Sequence, residues 1–154
     1  MAAFFCDSSA IVKRYVNEKG SNFVDGLADV QSGNIVLLAR ITRVEVAAAI
    51  AKRLKGGSIT NADANNALAA FQHDLTNDYF TIEITPALLS VAMSLAVKHA
   101  LRGYDAVQLA ATLEANDERI ANGLSPLTLV SADTELNDAA QAENLNVENP
   151  NNYP

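Results

Sequence analysis

Short apolar runs alternate with segments of helical periodicity along the chain, and this alternation limits the fold more than any other feature. The apolar runs lie at residues 2–6, 35–39, 79–84 and 127–131, with a shorter one at 145–147. Buried strands separated by helices form parallel sheets that helices cover on both faces. The pattern therefore predicts a single three-layer α/β/α domain with a parallel sheet of four to five strands.

Length and composition restrict the chain further. With 154 residues, of which 49% are hydrophobic and 19% charged, it can bury one core and is not a disordered chain. No apolar run reaches the roughly 20 residues of a membrane span, and no secretory signal is visible. The single cysteine, Cys6, suits the reducing cytoplasm. We expect a cytoplasmic domain at residues 1–147 and a flexible tail at 148–154, which is rich in Asn and Pro.

The charge is unevenly distributed. A net charge of −7 argues against a wholly basic surface of the kind that coats nucleic acids. Eight of the eleven Lys and Arg residues, however, lie at or before Lys55, and only Arg119 is basic after Asp105. An acidic protein with one basic face could still bind a polyanion locally.

Four acidic residues lie at or near predicted helix starts: Asp7, Glu45, Asp105 and Asp133. Asp7, Glu45 and Asp133 come directly or shortly after predicted strands, and Asp105 begins a predicted helix after a turn at residues 101–103. Each acid alone could be a helix cap or a favourable charge in a first helical turn. Thr42 and Glu45 also fit the capping-box pattern, so that Glu45 could be purely structural.

Taken together, the four acids favour a metal site. The carboxyl ends of parallel strands meet at one edge of a sheet, and ligands bind there. Four carboxylates at that edge would repel one another unless cations lay among them. Mg²⁺ and Mn²⁺ prefer oxygen ligands, and two such ions about 3.5–4 Å apart can assist an in-line attack on a phosphodiester. The sequence thus predicts that these acids hold one or two Mg²⁺ or Mn²⁺ ions.

Four stretches occur in order between about residues 3 and 140: FFCDSSAIVKRY, ITRVEVAAAIAKR, RGYDAVQLAA and LVSADTEL. Together they resemble the PIN-domain nucleases, and most of all the VapC-like ribonuclease toxins of bacterial toxin–antitoxin modules. The resemblance implies a metal-dependent endoribonuclease in which the four acids bind the metal and a metal-activated water hydrolyses RNA. Ser9 and Ser131 match small hydroxyl residues near the first and last acids. Two departures, Ser8 for the usual Thr and Gln108 for a frequent His, remove no carboxylate.

The same resemblance implies a homodimer and an antitoxin that covers the acidic site. The helices between residues 21 and 51 carry more apolar residues than one buried stripe requires, including Val46, Ala47, Ile50 and Ala51. Core packing explains most of them, and the resemblance implies that the surplus forms a dimer surface and a groove for an antitoxin peptide. The RNA backbone is expected to be held by basic residues around the site: Lys13, Arg14, Arg40, Arg43 and Arg102.

Two other functions remain open from the sequence. One is a phosphohydrolase or phosphoacceptor domain that uses Asp7, since residues 7–10 loosely resemble the nucleophile region of haloacid-dehalogenase-like hydrolases. Such enzymes need a lysine late in the fold, and no lysine follows Lys98. The other is a non-catalytic PIN-like binding module. Incubation with RNA, with and without Mn²⁺, would separate these functions from a ribonuclease.

Overall fold

Five parallel strands form one sheet in the computed structural model, which describes residues 1–154. The strands are β1 (Ala3–Cys6), β2 (Ile35–Ala39), β3 (Tyr79–Ile82), β4 (Thr128–Val130) and β5 (Asn146–Glu148). Their order in the sheet is β3-β2-β1-β4-β5, so the first strand is central. The predicted α/β fold with a parallel sheet is confirmed.

Seven helices cover the two faces of the sheet. They are α1 (Ser8–Ile11), α2 (Ser21–Ala28), α3 (Thr42–Lys55), α4 (Asn61–Asn77), α5 (Pro86–His99), α6 (Gly103–Ala121) and α7 (Thr134–Ala142). The first four pack on one face around one apolar cluster, and the last three pack on the other face around a second. None of these helices has both the length and the apolar character that crossing a membrane requires.

The central position of β1 in the sheet explains why its sequence is apolar throughout. Phe5 is fully buried in the cluster under α5, α6 and α7, while the next residue, Cys6, is fully buried under α1 to α4. Since successive strand residues point to opposite faces, a strand covered on both sides needs a continuous apolar run. The buried cysteine is therefore a small core residue.

Several helix boundaries differ from the sequence prediction. The helical spacing of the apolar residues between 10 and 16 predicts a helix to about residue 16 after Asp7. That helix ends at Ile11 and continues only as a 3₁₀ turn, Val12–Arg14. The apolar spacing between residues 107 and 113 predicts a helix at 104–115, but α6 extends to Ala121. There the buried Asn116 accepts a hydrogen bond from the Leu127 backbone N–H at 3.1 Å, a tertiary contact that the local pattern does not encode.

Core packing, which was expected for most of the apolar residues on the helices between residues 21 and 51, accounts for Val46 and Ile50. Val46 and Ile50 are fully buried in the core between α3 and the sheet. Their side chains stabilise the monomer and are not available to a second chain. The helices between residues 21 and 51 need more than one apolar stripe because two further helices, α1 and α4, pack against the same core.

The last residues pack against α2. Pro150 is buried, and the ring of Tyr153 stacks on that of Phe23 with centroids 4.1 Å apart. Gly20 has a positive φ of 86°, and a Cβ at this position would lie 2.4 Å from the Pro150 carbonyl oxygen. The predicted boundary at residue 147 falls inside β5. The flexibility of residues 148–154 stays a prediction.

Candidate metal centre

The four acids lie at one edge of the sheet. Asp7 follows β1 and Asp133 follows β4, which are paired neighbours in register at Cys6 and Val130. Glu45 lies in the first turn of α3 and Asp105 in the first turn of α6. We call Asp7, Glu45, Asp105 and Asp133 the acidic cluster.

Asp7 is the buried member of the acidic cluster, with 3% of its surface exposed. Its Oδ1 accepts hydrogen bonds from Ser9 Oγ at 2.7 Å and from the Ala10 N–H at 3.0 Å, and its Oδ2 accepts one from Ser131 Oγ at 2.7 Å. Burial raises the pKa of Asp7 to about 6, although the hydrogen bonds to Ser9, Ser131 and Ala10 oppose the rise. Proximity to Glu45 raises it slightly more.

Ser131 connects two members of the acidic cluster. Its hydroxyl donates to Asp7 and accepts a hydrogen bond from the Asp133 N–H at 3.0 Å. Asp133 in turn caps α7, because its Oδ1 accepts from the Leu136 N–H at 3.0 Å. Asp7 and Asp133 are therefore N-caps as well as members of the cluster, so the capping alternative and the cluster coexist at these two positions.

Glu45 has no capping role. The residue before α3 is Ile41, which makes no side-chain cap, so the capping box suggested by Thr42 and Glu45 is absent. Instead the carboxylate accepts hydrogen bonds from Ser8 Oγ at 3.1 Å and from Gln108 Nε2 at 2.8 Å. Gln108 was not among the predicted site residues, although its position one helical turn after Asp105 is a signal that could have indicated it.

Asp105 is half-buried and accepts no hydrogen bond from the protein. Burial is the largest cause that raises its pKa to about 6, followed by the charges of Asp133 and Glu45, and Arg102 opposes the rise. Glu135, an exposed residue with no predicted role in the site, adds a smaller effect in the same direction. Crowding thus acts as expected on the pKa values, but burial acts more strongly.

The donor set suits a hard divalent cation. All four side chains offer carboxylate oxygens, which Mg²⁺ and Mn²⁺ prefer. None of the eight salt bridges in the structure involves any of the four acids. The hydrogen bonds that they accept come from neutral donors. Arg102 offsets the negative charge only in part, since the pKa of Asp105 stays raised.

Three other potential ligands lie closer together at the end of α4. Ligand atoms of His73, Asp74 and Asp78 are all within 4.8 Å of one another. Asp74, however, already accepts hydrogen bonds from Arg14 Nε at 3.3 Å and Tyr15 Oη at 2.7 Å. Its charge is therefore compensated by the protein, unlike the charge of the acidic cluster.

The predicted RNA-binding residues differ in their surroundings. Lys13 is buried and paired with Glu18, and its Nζ also donates to the Lys19 carbonyl oxygen at 2.9 Å. Arg14 pairs with Asp74 and lines a surface concavity of about 520 Å³, and none of the four acids lines this concavity.

The other three basic residues adjoin elements of the site: Arg40 follows β2, Arg43 lies in α3 with Glu45, and Arg102 comes directly before α6. Arg40 pairs with Glu83. Arg43 has only a 3.5 Å contact with Thr81 Oγ1, and its buried Nε has no partner. Arg102 precedes α6 and acts electrostatically on Asp105.

Comparison with known proteins identifies two relatives by sequence. No protein-family model matches the chain. The ribonucleases VapC45 and VapC49 of Mycobacterium tuberculosis are each 32% identical to it over 117 residues, which cover 76% of this chain and 79% of each relative.

Three solved structures share the fold. PAE2754 from Pyrobaculum aerophilum is 18% identical to this chain with a TM-score of 0.64, and the match covers 98% of this chain and 91% of PAE2754. VapBC2 from Rickettsia felis, bound to a DNA fragment from its promoter, has a TM-score of 0.59 at 14% identity, with 96% and 98% covered. FitAcB from Neisseria gonorrhoeae has a TM-score of 0.57 at 18% identity, with 96% and 97% covered.

Proposed function

The chain belongs to the VapC family of ribonucleases, and we propose that it is an endoribonuclease that hydrolyses RNA at the acidic cluster. One observation carries this proposal: four carboxylates from four separate elements gather at one sheet edge, and none of them forms a salt bridge with a cationic side chain. Such an arrangement is unfavourable for the folded protein alone and favourable once a cation is bound. The family resemblance of the four sequence stretches is in agreement with it.

The cation would be Mg²⁺ or Mn²⁺, held by Asp7, Glu45, Asp105 and Asp133. When bound, such an ion lowers the pKa of water and offsets the charge that develops on the phosphate. The protein supplies orientation: Ser9 and Ser131 hold both oxygens of Asp7, so that this carboxylate has one direction. Their hydrogen bonds also favour its ionised form, which is the form that binds cations.

RNA binding requires positive charge beside this negative centre. Arg102 and Arg43 are the better candidates, because neither forms a salt bridge within the chain. Arg43 lies in α3 two residues before Glu45, and Arg102 directly precedes α6, which carries Asp105. Lys13 and Arg14 would have to leave Glu18 and Asp74 before they could bind a phosphate.

As a VapC relative, the protein is proposed to be the toxin of a toxin–antitoxin pair. A basic side chain of the antitoxin would compensate the acidic cluster and exclude the cation. We also propose a homodimer. Candidate surface residues for it lie on α5, where Val91, Met93 and Val97 are 48%, 71% and 86% exposed.

Two alternatives differ in what they predict for one assay. A phosphoacceptor needs an accessible nucleophile, whereas Asp7 is buried and both its oxygens accept hydrogen bonds. A binding module would bind RNA without cutting it. We expect the purified protein to cleave RNA internally in Mn²⁺ and not in EDTA, and Asp7→Asn to abolish cleavage while the fold is kept. Cleavage at the native rate by that variant would overturn the assignment.

A further inference from the structure

The Glu45 carboxylate is held from two sides by neutral side chains. Ser8 Oγ donates to its Oε2 at 3.1 Å, and Gln108 Nε2 donates to its Oε1 at 2.8 Å. Ser8 directly follows Asp7, while Gln108 lies one turn after Asp105 on α6. The two hydrogen bonds therefore connect α3 to both of the elements that carry Asp7 and Asp105.

The environment of Gln108 is costly for the folded protein. The side chain is only 1% exposed, and its Nε2 donates to Thr42 Oγ1 at 2.9 Å as well as to Glu45. Its Oε1 is buried and has no hydrogen-bond partner, which leaves a desolvated carbonyl uncompensated. Rotating the amide would put Oε1 against a carboxylate oxygen of Glu45, so the carboxylate determines the orientation that leaves Oε1 unpaired.

The neutrality of both donors matters for a cation site. An arginine or lysine in place of Gln108 could also hold Glu45, but its charge would compensate the carboxylate and compete with a bound cation. A serine hydroxyl and a carboxamide fix the direction of the carboxylate and leave its full charge available. Hydrogen-bond partners of metal-ligating carboxylates act in this way in metalloproteins.

We propose that Gln108, assisted by Ser8, is a positioning residue that presents the Glu45 carboxylate to the divalent cation. This inference rests on the proposed function, because it requires that the acidic cluster binds a cation. The arrangement costs an unpaired buried oxygen and gives a preorganised ligand in return. Gln108 itself contacts neither the cation nor the RNA.

The test measures Mn²⁺ affinity by calorimetric titration of the full chain, independently of RNA cleavage. Gln108→Met keeps the side-chain length and removes the donor, and Ser8→Ala removes the other donor at a partly exposed position. Gln141→Met, an exposed glutamine on α7 without a side-chain hydrogen bond, is the matched control. Circular dichroism in EDTA verifies that each variant is folded at the titration temperature.

We expect Gln108→Met to weaken Mn²⁺ binding by about 10- to 100-fold, the range known for second partners of metal ligands, and Gln141→Met to leave it unchanged. Ser8→Ala should weaken it in the same direction. In a Glu45→Gln background, Gln108→Met should have no further effect, because its target carboxylate is gone. A merely structural glutamine would produce the same loss in both backgrounds.

The titrations separate a failure of the proposed function from a failure of the positioning role of Gln108. If the unsubstituted protein binds no Mn²⁺, the proposed function fails together with the inference. If it binds Mn²⁺ and neither Gln108→Met nor Ser8→Ala changes the affinity by more than about threefold, against the 10- to 100-fold expected, only the positioning role is overturned. An equal loss with and without Glu45 also overturns it.

Discussion

Replacing Asp7 by Asn should stabilise the metal-free protein at neutral and alkaline pH. The pKa of Asp7 rises from 3.8 to about 6 on folding, chiefly through burial. Between these pH values the folded state binds more protons than the unfolded state, so the free energy of unfolding falls as pH rises. At about 1.4 kcal/mol for each pKa unit, the full loss at alkaline pH is about 3 kcal/mol.

Asparagine removes this pH-dependent loss at small structural cost. It is as good an N-cap as aspartate, so α1 keeps its hydrogen bond from the Ala10 N–H. One of the two serine hydrogen bonds must change direction, which costs about 1 kcal/mol at any pH. We therefore expect a net gain of about 2 kcal/mol near pH 8 and a small loss near pH 4. For a chain of this size the gain corresponds to a rise in melting temperature of about 4–8 °C.

Urea denaturation in EDTA between about pH 4 and pH 8 measures the effect. Asp117→Asn, at an exposed position in the C-terminal part of α6, controls for the general effect of removing one negative charge. The quantity to compare is the change with pH of the difference between the variant and the unsubstituted protein. Parallel curves for Asp7→Asn and the unsubstituted protein would show that the buried carboxylate carries no such free energy, and would refute the reasoning.

Three further predictions concern the site and the tail. In EDTA at about pH 8, Asp105→Asn should be at least as stable as the unsubstituted protein. On addition of Mn²⁺, however, its melting temperature should rise less. At a hundred times its dissociation constant, Mn²⁺ adds about 2.7 kcal/mol to the free energy of unfolding of the unsubstituted protein. An equal rise in both would remove Asp105 from the metal site. Arg102→Ala should weaken RNA binding evenly across RNA sequences and reduce the slope of log affinity against log salt concentration by about one. Arg119→Ala, at the other end of α6, is the control. An unchanged slope for Arg102→Ala would contradict a contact between Arg102 and phosphate. Gly20→Ala should destabilise the folded protein by at least about 1–2 kcal/mol in urea denaturation, because its φ is positive and the added Cβ meets Pro150. Gly26→Ala, at a position in α2 where a Cβ meets no other atom, should stabilise the protein by about 0.5–1 kcal/mol. Equal effects of the two substitutions would contradict the packing of the tail.

The sheet was predictable because its information is local. Residues 35–39 were predicted as a strand and form β2 with the same bounds, since a strand buried on both faces has to be apolar at every position. The acids were predictable for a related reason. Asp7 and Asp133 stand where strands end, and parallel strands all end at the same edge.

The tertiary structure alone decided which side chains serve the monomer core and which contact the acids. Val46 and Ile50 have the same helical spacing that an interface residue would have, and only the packing of α1 and α4 against α3 buries them. Glu45 fits a capping box in sequence, yet its partners are Ser8 and Gln108, 37 and 63 positions away along the chain.

Contacts at such separations depend on how helices from distant parts of the chain are placed on the sheet. Local propensity and periodicity describe which face of a helix is buried, and not which side chain of another element lies opposite it. The pKa values of Asp7 and Asp105 follow the same logic, because burial, their largest cause, exists only after the layers have come together.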